Sequence, residues 1–180
     1  MANVYQVGDY NPRFNESFFF DTNIWIYLHC PIASHNQAAQ RAYSAFYKKI
    51  ISGNFGLFVN SLVLSEYANA YLRIDFTLWK NEEGRHGASY KQDFVGTDRF
   101  NETVEDVKDE LRVILKSTER MTDNFNAIDL DHVFTEFGRA DFNDAYYLEL
   151  AQMNDWKIVT HDRDLFEDNE MDVDIITALN

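Results

Sequence analysis

Cysteine is almost missing from this chain. A single residue, Cys30, excludes an internal disulfide framework and suits a reducing interior. Paired cysteines at zinc spacing, a Gly-rich phosphate loop and runs of lysine or arginine are absent too, and with them the simplest zinc-ribbon and P-loop chemistries. No apolar run approaches the roughly 20 residues that cross a bilayer. The opening stretch, MANVYQVGDYNPRFNE, lacks the basic start and apolar core of a signal peptide. A soluble, cytoplasmic protein is therefore expected. Basic charge is short as well: 16 Lys and Arg stand against 30 Asp and Glu, a net charge of −14. That balance argues against holding nucleic acid by a broad basic surface. It fits carboxylates gathered for metal binding, or an acidic surface that meets a basic partner.

What the chain does contain is apolar and aromatic. With 46% hydrophobic and 16% aromatic residues, its 180 residues suit one well-packed domain and leave little room for a second. Residues 18–21, FFFD, read as a short buried strand, because continuous apolar runs suit parallel strands covered on both faces. Thr22 or Asn23 is expected to cap the helix that follows. An amphipathic helix is expected over 35–51, with Ala38, Ala42, Phe46 and Ile50 on one face. GLFVN is a second strand, and Asn60 or Ser61 caps a long helix reaching about Trp79. Residues 81–99 read as a polar excursion, and Phe100, Val104, Val107, Leu111 and Ile114 mark another helix. NAIDL is expected as a short strand, DHVFTEF as a short helix, and 141–154 as a longer one; WKIVT and VDIIT close the sheet. Alternating strands and helices predict a single α/β domain with a mainly parallel sheet, spanning 1–180, with an N-terminal extension over 1–16.

In such sheets ligands gather beyond the carboxyl ends of the strands, and acids recur there. Asp21 ends the first strand, Asp162 and Asp164 follow WKIVT, Glu66 lies early in the helix after GLFVN, and Asp144 opens the helix over 141–154. Carboxylates without competing His or Cys ligands suit Mg²⁺ or Mn²⁺. An ion would also explain why a buried strand ends in a charge. The chemistry that most often uses such a site is phosphodiester hydrolysis. Each acid has a plainer reading. Asp21 alone reads first as a helix cap, and Glu66 alone as a solvated helix residue. Asp141 and Asp144 are spaced as N-cap and N3, so at least one is structural. Asp164-Leu165-Phe166-Glu167 looks like a capping-box variant, which assigns Asp164 to structure and Asp162 to the site.

Taken together, Asp21-Thr22-Asn23 after an apolar strand, Glu66 in SLVLSEYANA, Asp144 in DAYYLELA and IVTHDRDL resemble the PIN-domain nuclease family, which includes VapC-like toxin ribonucleases. The resemblance implies a Mg²⁺- or Mn²⁺-dependent ribonuclease on a small α/β/α sandwich, leaving a 5′-phosphate and a 3′-hydroxyl. It implies that Asp21, Glu66, Asp144 and Asp162 bind metal and carry catalysis. Thr22 would orient Asp21 or touch a water on the metal, with Asn23, Thr160, Asp141 and Asp164 around them. Many members are toxins of type II toxin–antitoxin pairs, often homodimeric and held by a cognate antitoxin, here expected to be basic. RNA contacts would fall to scattered cations such as Arg139. The rival readings are a PIN-like binding module without catalysis and a phosphatase of the haloacid dehalogenase type. The latter needs a second acid where Asn23 stands.

Overall fold

Three consecutive phenylalanines are stable only in a strand covered on both faces, and Phe18, Phe19 and Phe20 occupy one. In the computed structural model, which describes residues 3–167 and 171–179, Ser17–Phe20 forms β2, following the short strand β1, Asn3–Gln6. The other strands are β3 (Gly56–Val59), β4 (Glu119–Arg120), β5 (Trp156–Val159) and β6 (Asp174–Thr177). They form one six-stranded sheet in the order β1-β6-β5-β2-β3-β4, parallel throughout. Successive strand residues point to opposite faces. Phe18 and Phe20 accordingly pack on Phe46, with ring centroids 5.6 and 6.4 Å apart, whereas Phe19 meets Tyr147 at 5.2 Å on the other side.

Phe46 belongs to α2 (Gln37–Ser52) and Tyr147 to α6 (Phe142–Asn154), so helices cover both faces and the sandwich has three layers. The other helices are α1 (Thr22–His29), α3 (Ser61–Glu82), α4 (Asp98–Ser117) and α5 (Leu130–Glu136). The buried stripe of α2 is Ala39, Tyr43, Phe46 and Ile50; the period was legible, but its upper half lies one residue along from the expected Ala38 and Ala42. Asn36 caps α2 and Asn60 caps α3 through the Val63 amide. No described helix is long and apolar enough to cross a membrane.

Three expectations are corrected. The N-terminal extension contributes β1, which pairs with β6 at the sheet edge. Residues 126–130 are not a strand: the amides of Ala127 and Ile128 turn back onto the Asn124 carbonyl, and Asp129 caps α5 through the amides of Asp131 and His132. The edge strand lies earlier, at β4. The excursion over 81–99 is not simply a loop. Helix α3 runs to Glu82, Gly84 reverses the chain at φ 65°, and Tyr90–Phe94 makes a π-helical turn.

That turn inserts the fully buried Phe94 against Phe76 and Trp79, at 5.4 and 5.3 Å between centroids, as a small second core. Buried Asp75 locks it to α4: Nε and Nη2 of Arg99 both donate to Asp75 Oδ1, at 2.9 and 2.5 Å, and the Thr103 hydroxyl donates to Oδ2 at 2.7 Å. Phe94→Ala should lower stability by about 3 kcal/mol or more and raise amide exchange in the segment 83–97. An unchanged melt and exchange pattern would show that this second core stabilises nothing.

Candidate active site

The carboxyl ends of β2, β3 and β5 open into one cleft of about 710 Å³. Asp21 leaves β2, Thr160 to Asp162 leave β5, α3 carries Glu66 away from β3, and the first turn of α6 brings Asp141, Asn143 and Asp144. Asp21, Glu66, Asp141, Asp144 and Asp162 all line this cleft, and no lysine or arginine stands among its described lining residues.

Asp21 is 5% exposed and occupies the N-cap position of α1, yet its side chain makes no capping hydrogen bond. Its Oδ2 instead accepts from the Thr160 hydroxyl at 2.8 Å and from the Asn23 amide. The Asn23 carbonyl oxygen accepts from the His161 amide at 3.0 Å, so Asn23 ties the end of β2 to the end of β5. The plain reading of Asp21 as a cap therefore fails on geometry. Thr22 serves both acids: its backbone amide hydrogen-bonds the Asp21 carboxylate, and its hydroxyl donates to Glu66 Oε2 at 2.8 Å. Glu66 is gripped three times, since the Tyr147 hydroxyl also donates to Oε2 at 2.5 Å and the Asn143 amide donates to Oε1.

On α6 the division of labour follows the cap geometry. Asp141 Oδ1 accepts from the amides of Asn143 and Asp144, at 2.8 and 3.0 Å, which fixes the helix start. Asp144, at N3, is left to line the cleft, and no hydrogen bond reaches its carboxylate among the described residues. Asp162 makes a turn of its own, its Oδ1 accepting from the Asp164 amide at 3.0 Å. The capping box expected at Asp164 does not form. Residues 164–167 are turns, and the amides of Phe166 and Glu167 fold back onto the Arg163 carbonyl. Arg139 ion-pairs with Glu136 at 3.7 Å and is not among the described residues lining the cleft.

The electrostatics follow from this crowding. Burial, and behind it the charges of Glu66 and Asp162, push the Asp21 carboxyl up to about 7 against the opposing hydrogen bonds from Thr160 and Thr22. Asp144 is pushed up to about 8, by burial first and then by Asp21, Asp141, Asp162 and Glu66. The residues that sequence reasoning missed are Asn143 and Tyr147. They flank Asp144 at i, i+4 spacing, and that shared helix face is the signal that would have found them.

The donor set suits a hard divalent cation: five carboxylates line the cleft, no lysine or arginine stands among its described lining residues, and Nε2 of the one lining histidine, His35, lies 3.2 Å from the Cys30 carbonyl. Among the described residues no three His, Cys, Asp or Glu side chains are gathered closely enough to cage an ion. Mg²⁺ needs no such cage, because it keeps several waters and binds through one or two carboxylates.

With fold and cleft in view, the chain can be placed: it matches the PIN domain family over residues 18–170 and belongs to it. PIN domains are in general nucleases. No functionally curated protein matches the chain. Among solved structures it is similar to VapBC2 from Rickettsia felis, solved bound to a DNA fragment from its promoter. That match has 14% identity and a TM-score of 0.56, and covers 89% of this chain and 98% of the other. It is also similar to PAE2754 from Pyrobaculum aerophilum, at 20% identity and a TM-score of 0.47 over 92% of this chain and 88% of that one.

Proposed function

We propose that this protein is a Mg²⁺- or Mn²⁺-dependent endoribonuclease. The observation that carries the reading is the cleft that Asp21, Glu66, Asp144 and Asp162 line with no lysine or arginine among its described lining residues. Such a surface repels an RNA phosphate unless a cation stands between them. A bound divalent ion supplies two things: it lowers the pKa of water and neutralises charge developing on the phosphate. Asp21, Glu66, Asp144 and Asp162 would face it, one or two of them as direct ligands and the others through its waters. The chain's own residues do the positioning. Thr160 and Asn23 fix Asp21, while Thr22, Asn143 and Tyr147 fix Glu66. In the hydrolysis, water oxygen bonds to phosphorus and the bond to the 3′-oxygen of the leaving nucleotide breaks. The products are a 5′-phosphate and a 3′-hydroxyl.

A toxin role, in a homodimer restrained by a basic antitoxin, belongs to the same reading. Its supports are the net charge of −14 and the fold shared with VapBC2 of Rickettsia felis. The test is incubation of the purified protein with end-labelled mixed-sequence RNA in Mg²⁺, Mn²⁺ or EDTA. Cleavage is expected with either metal and none in EDTA. A folded protein that leaves RNA intact under every metal would favour the binding-module reading.

A further inference from the structure

Helix α3 does more than carry Glu66. At 100° per residue, Glu66, Asn69, Ala70, Arg73, Thr77 and Lys80 fall on one stripe of the helix. The upper end lines the cleft through Glu66, Asn69 and Ala70. About 10 Å and about 20 Å further along the axis come Arg73 and Lys80, at 1.5 Å rise per residue. Arg85 lies just beyond the helix end.

These three cations are distinct from the rest of the chain's basic residues. Each lies over an aromatic ring: the Arg73 guanidinium is 4.0 Å from the centroid of Tyr90, Lys80 Nζ 4.8 Å from Phe76, and the Arg85 guanidinium 5.2 Å from Trp79. The rings form one contiguous group, Tyr90 and Trp79 lying 5.3 and 6.1 Å from Phe76. Phe76 and Trp79 of α3, with Tyr90 from the π-helical turn, thus act together as a rack for the cations. Their carboxylate neighbours on α3 are already committed, because Asp75 and Glu82 lie on the opposite side of the helix and both bind Arg99. None of the three makes a salt bridge among the described residues, whereas Lys108, Arg112 and Lys157 do. A protein of net charge −14 has kept a fixed cationic line that starts beside its acidic cleft.

We propose that this line is the track for the sugar–phosphate backbone of a single RNA strand, carrying the flank of the substrate away from the cleft along α3. The proposal rests on the ribonuclease reading and names how its substrate is held. Cations preorganised over rings present their outward N–H groups to phosphate at low entropic cost. A flexible strand can follow a helix stripe that a stiff duplex would leave.

The experiment compares the parent protein with Arg73→Gln/Lys80→Gln/Arg85→Gln, which keeps much of each stem over its ring. Binding of a fluorescent single-stranded RNA of about 20 nucleotides is measured in EDTA across a salt series, so that no cleavage is needed. Loss of three phosphate contacts should weaken binding at least 10-fold at low salt. It should flatten the slope of log K against log salt by about 2, at about 0.7 per phosphate for single strands. Arg73→Lys, Lys80→Arg and Arg85→Lys together should restore the slope, which a merely structural role would not do. Equal affinity and slope in parent and Gln variant would overturn the track, even if the parent cleaves RNA with metal. RNA binding lost in the Gln variant, in a parent that never cleaves, would support the track and sink the nuclease. Competition by polyglutamate as effective as that by RNA would assign the surface to an acidic protein and overturn the proposal.

Discussion

Asp144→Asn should reduce metal-dependent RNA cleavage on the order of 10²–10³-fold while the protein stays folded and melts no lower than the parent. Both halves come from the same geometry. Asp144 lines the cleft, receives no hydrogen bond on its carboxylate among the described residues, and is pushed up to about 8 by burial and four neighbouring acids. Its charge is therefore a burden on the metal-free fold, and the isosteric amide removes that burden. The same amide is a poor ligand for a hard cation and cannot balance its charge. Asp141→Asn is the matched control. Asparagine caps a helix as well as aspartate, so α6 should keep its start, and cleavage should fall far less than with Asp144→Asn. Measured kcat/KM on one labelled RNA decides it. If Asp144→Asn cleaves like the parent, Asp144 is not at the reacting centre.

Much of this site could be read in the sequence because its supports are local. Phe18 to Phe20 form an apolar run that only a doubly covered strand can bury, so the acid after it had to sit at a strand end. Asp141 and Asp144 carry an N-cap and N3 spacing that the structure reproduces, with the cap at Asp141 and the cleft-facing acid at Asp144. WKIVT and VDIIT, both rich in β-branched residues and both preceded by an acid, became β5 and β6.

What was not legible depends on partners distant in the chain. β1 shows no apolar alternation, since all four of its residues are exposed; it is held by the backbone ladder with β6 and by polar contacts such as Asn3 to Asp174 and Gln6 to the Leu179 carbonyl. The second core hid for another reason. Phe94 is one apolar residue in a polar stretch, and its value appears only when α3 extends far enough to offer Phe76 and Trp79. Thr22 was read by nearness in sequence, beside Asp21. Helical geometry points its hydroxyl instead at Glu66, 44 residues away. Tyr147 looks like core in the sequence, and by burial it is core. Its hydroxyl alone belongs to the site, and no periodicity separates a ring from its oxygen.

The metal-free protein should lose stability as pH rises from about 4 to about 8, and Mg²⁺ or Mn²⁺ should raise its melting temperature more at pH 8.5 than at pH 6. The sign follows from proton uptake. Asp21 and Asp144 titrate near 3.8 when unfolded, but at about 7 and about 8 in the fold. Between those limits the folded state holds more protons, so raising the pH removes stability. His161 works the other way, because burial between Tyr27 and Tyr43 lowers its affinity for protons. Its contribution grows as pH climbs through the ordinary histidine range and partly masks the carboxylates near pH 6. The cation competes with the same protons that the two carboxyls retain. It therefore binds weakly below pH 7 and strongly above pH 8. At 100 times its Kd it adds about 2.7 kcal/mol of stability. Calorimetric melts at four pH values, with metal and with EDTA, test both statements. The Asp21→Asn/Asp144→Asn double variant isolates the cause. It should flatten the metal-free pH slope and erase most of the metal-induced rise. A double variant that keeps the parent's slope and the parent's response to metal would place both the protons and the ion elsewhere in the protein.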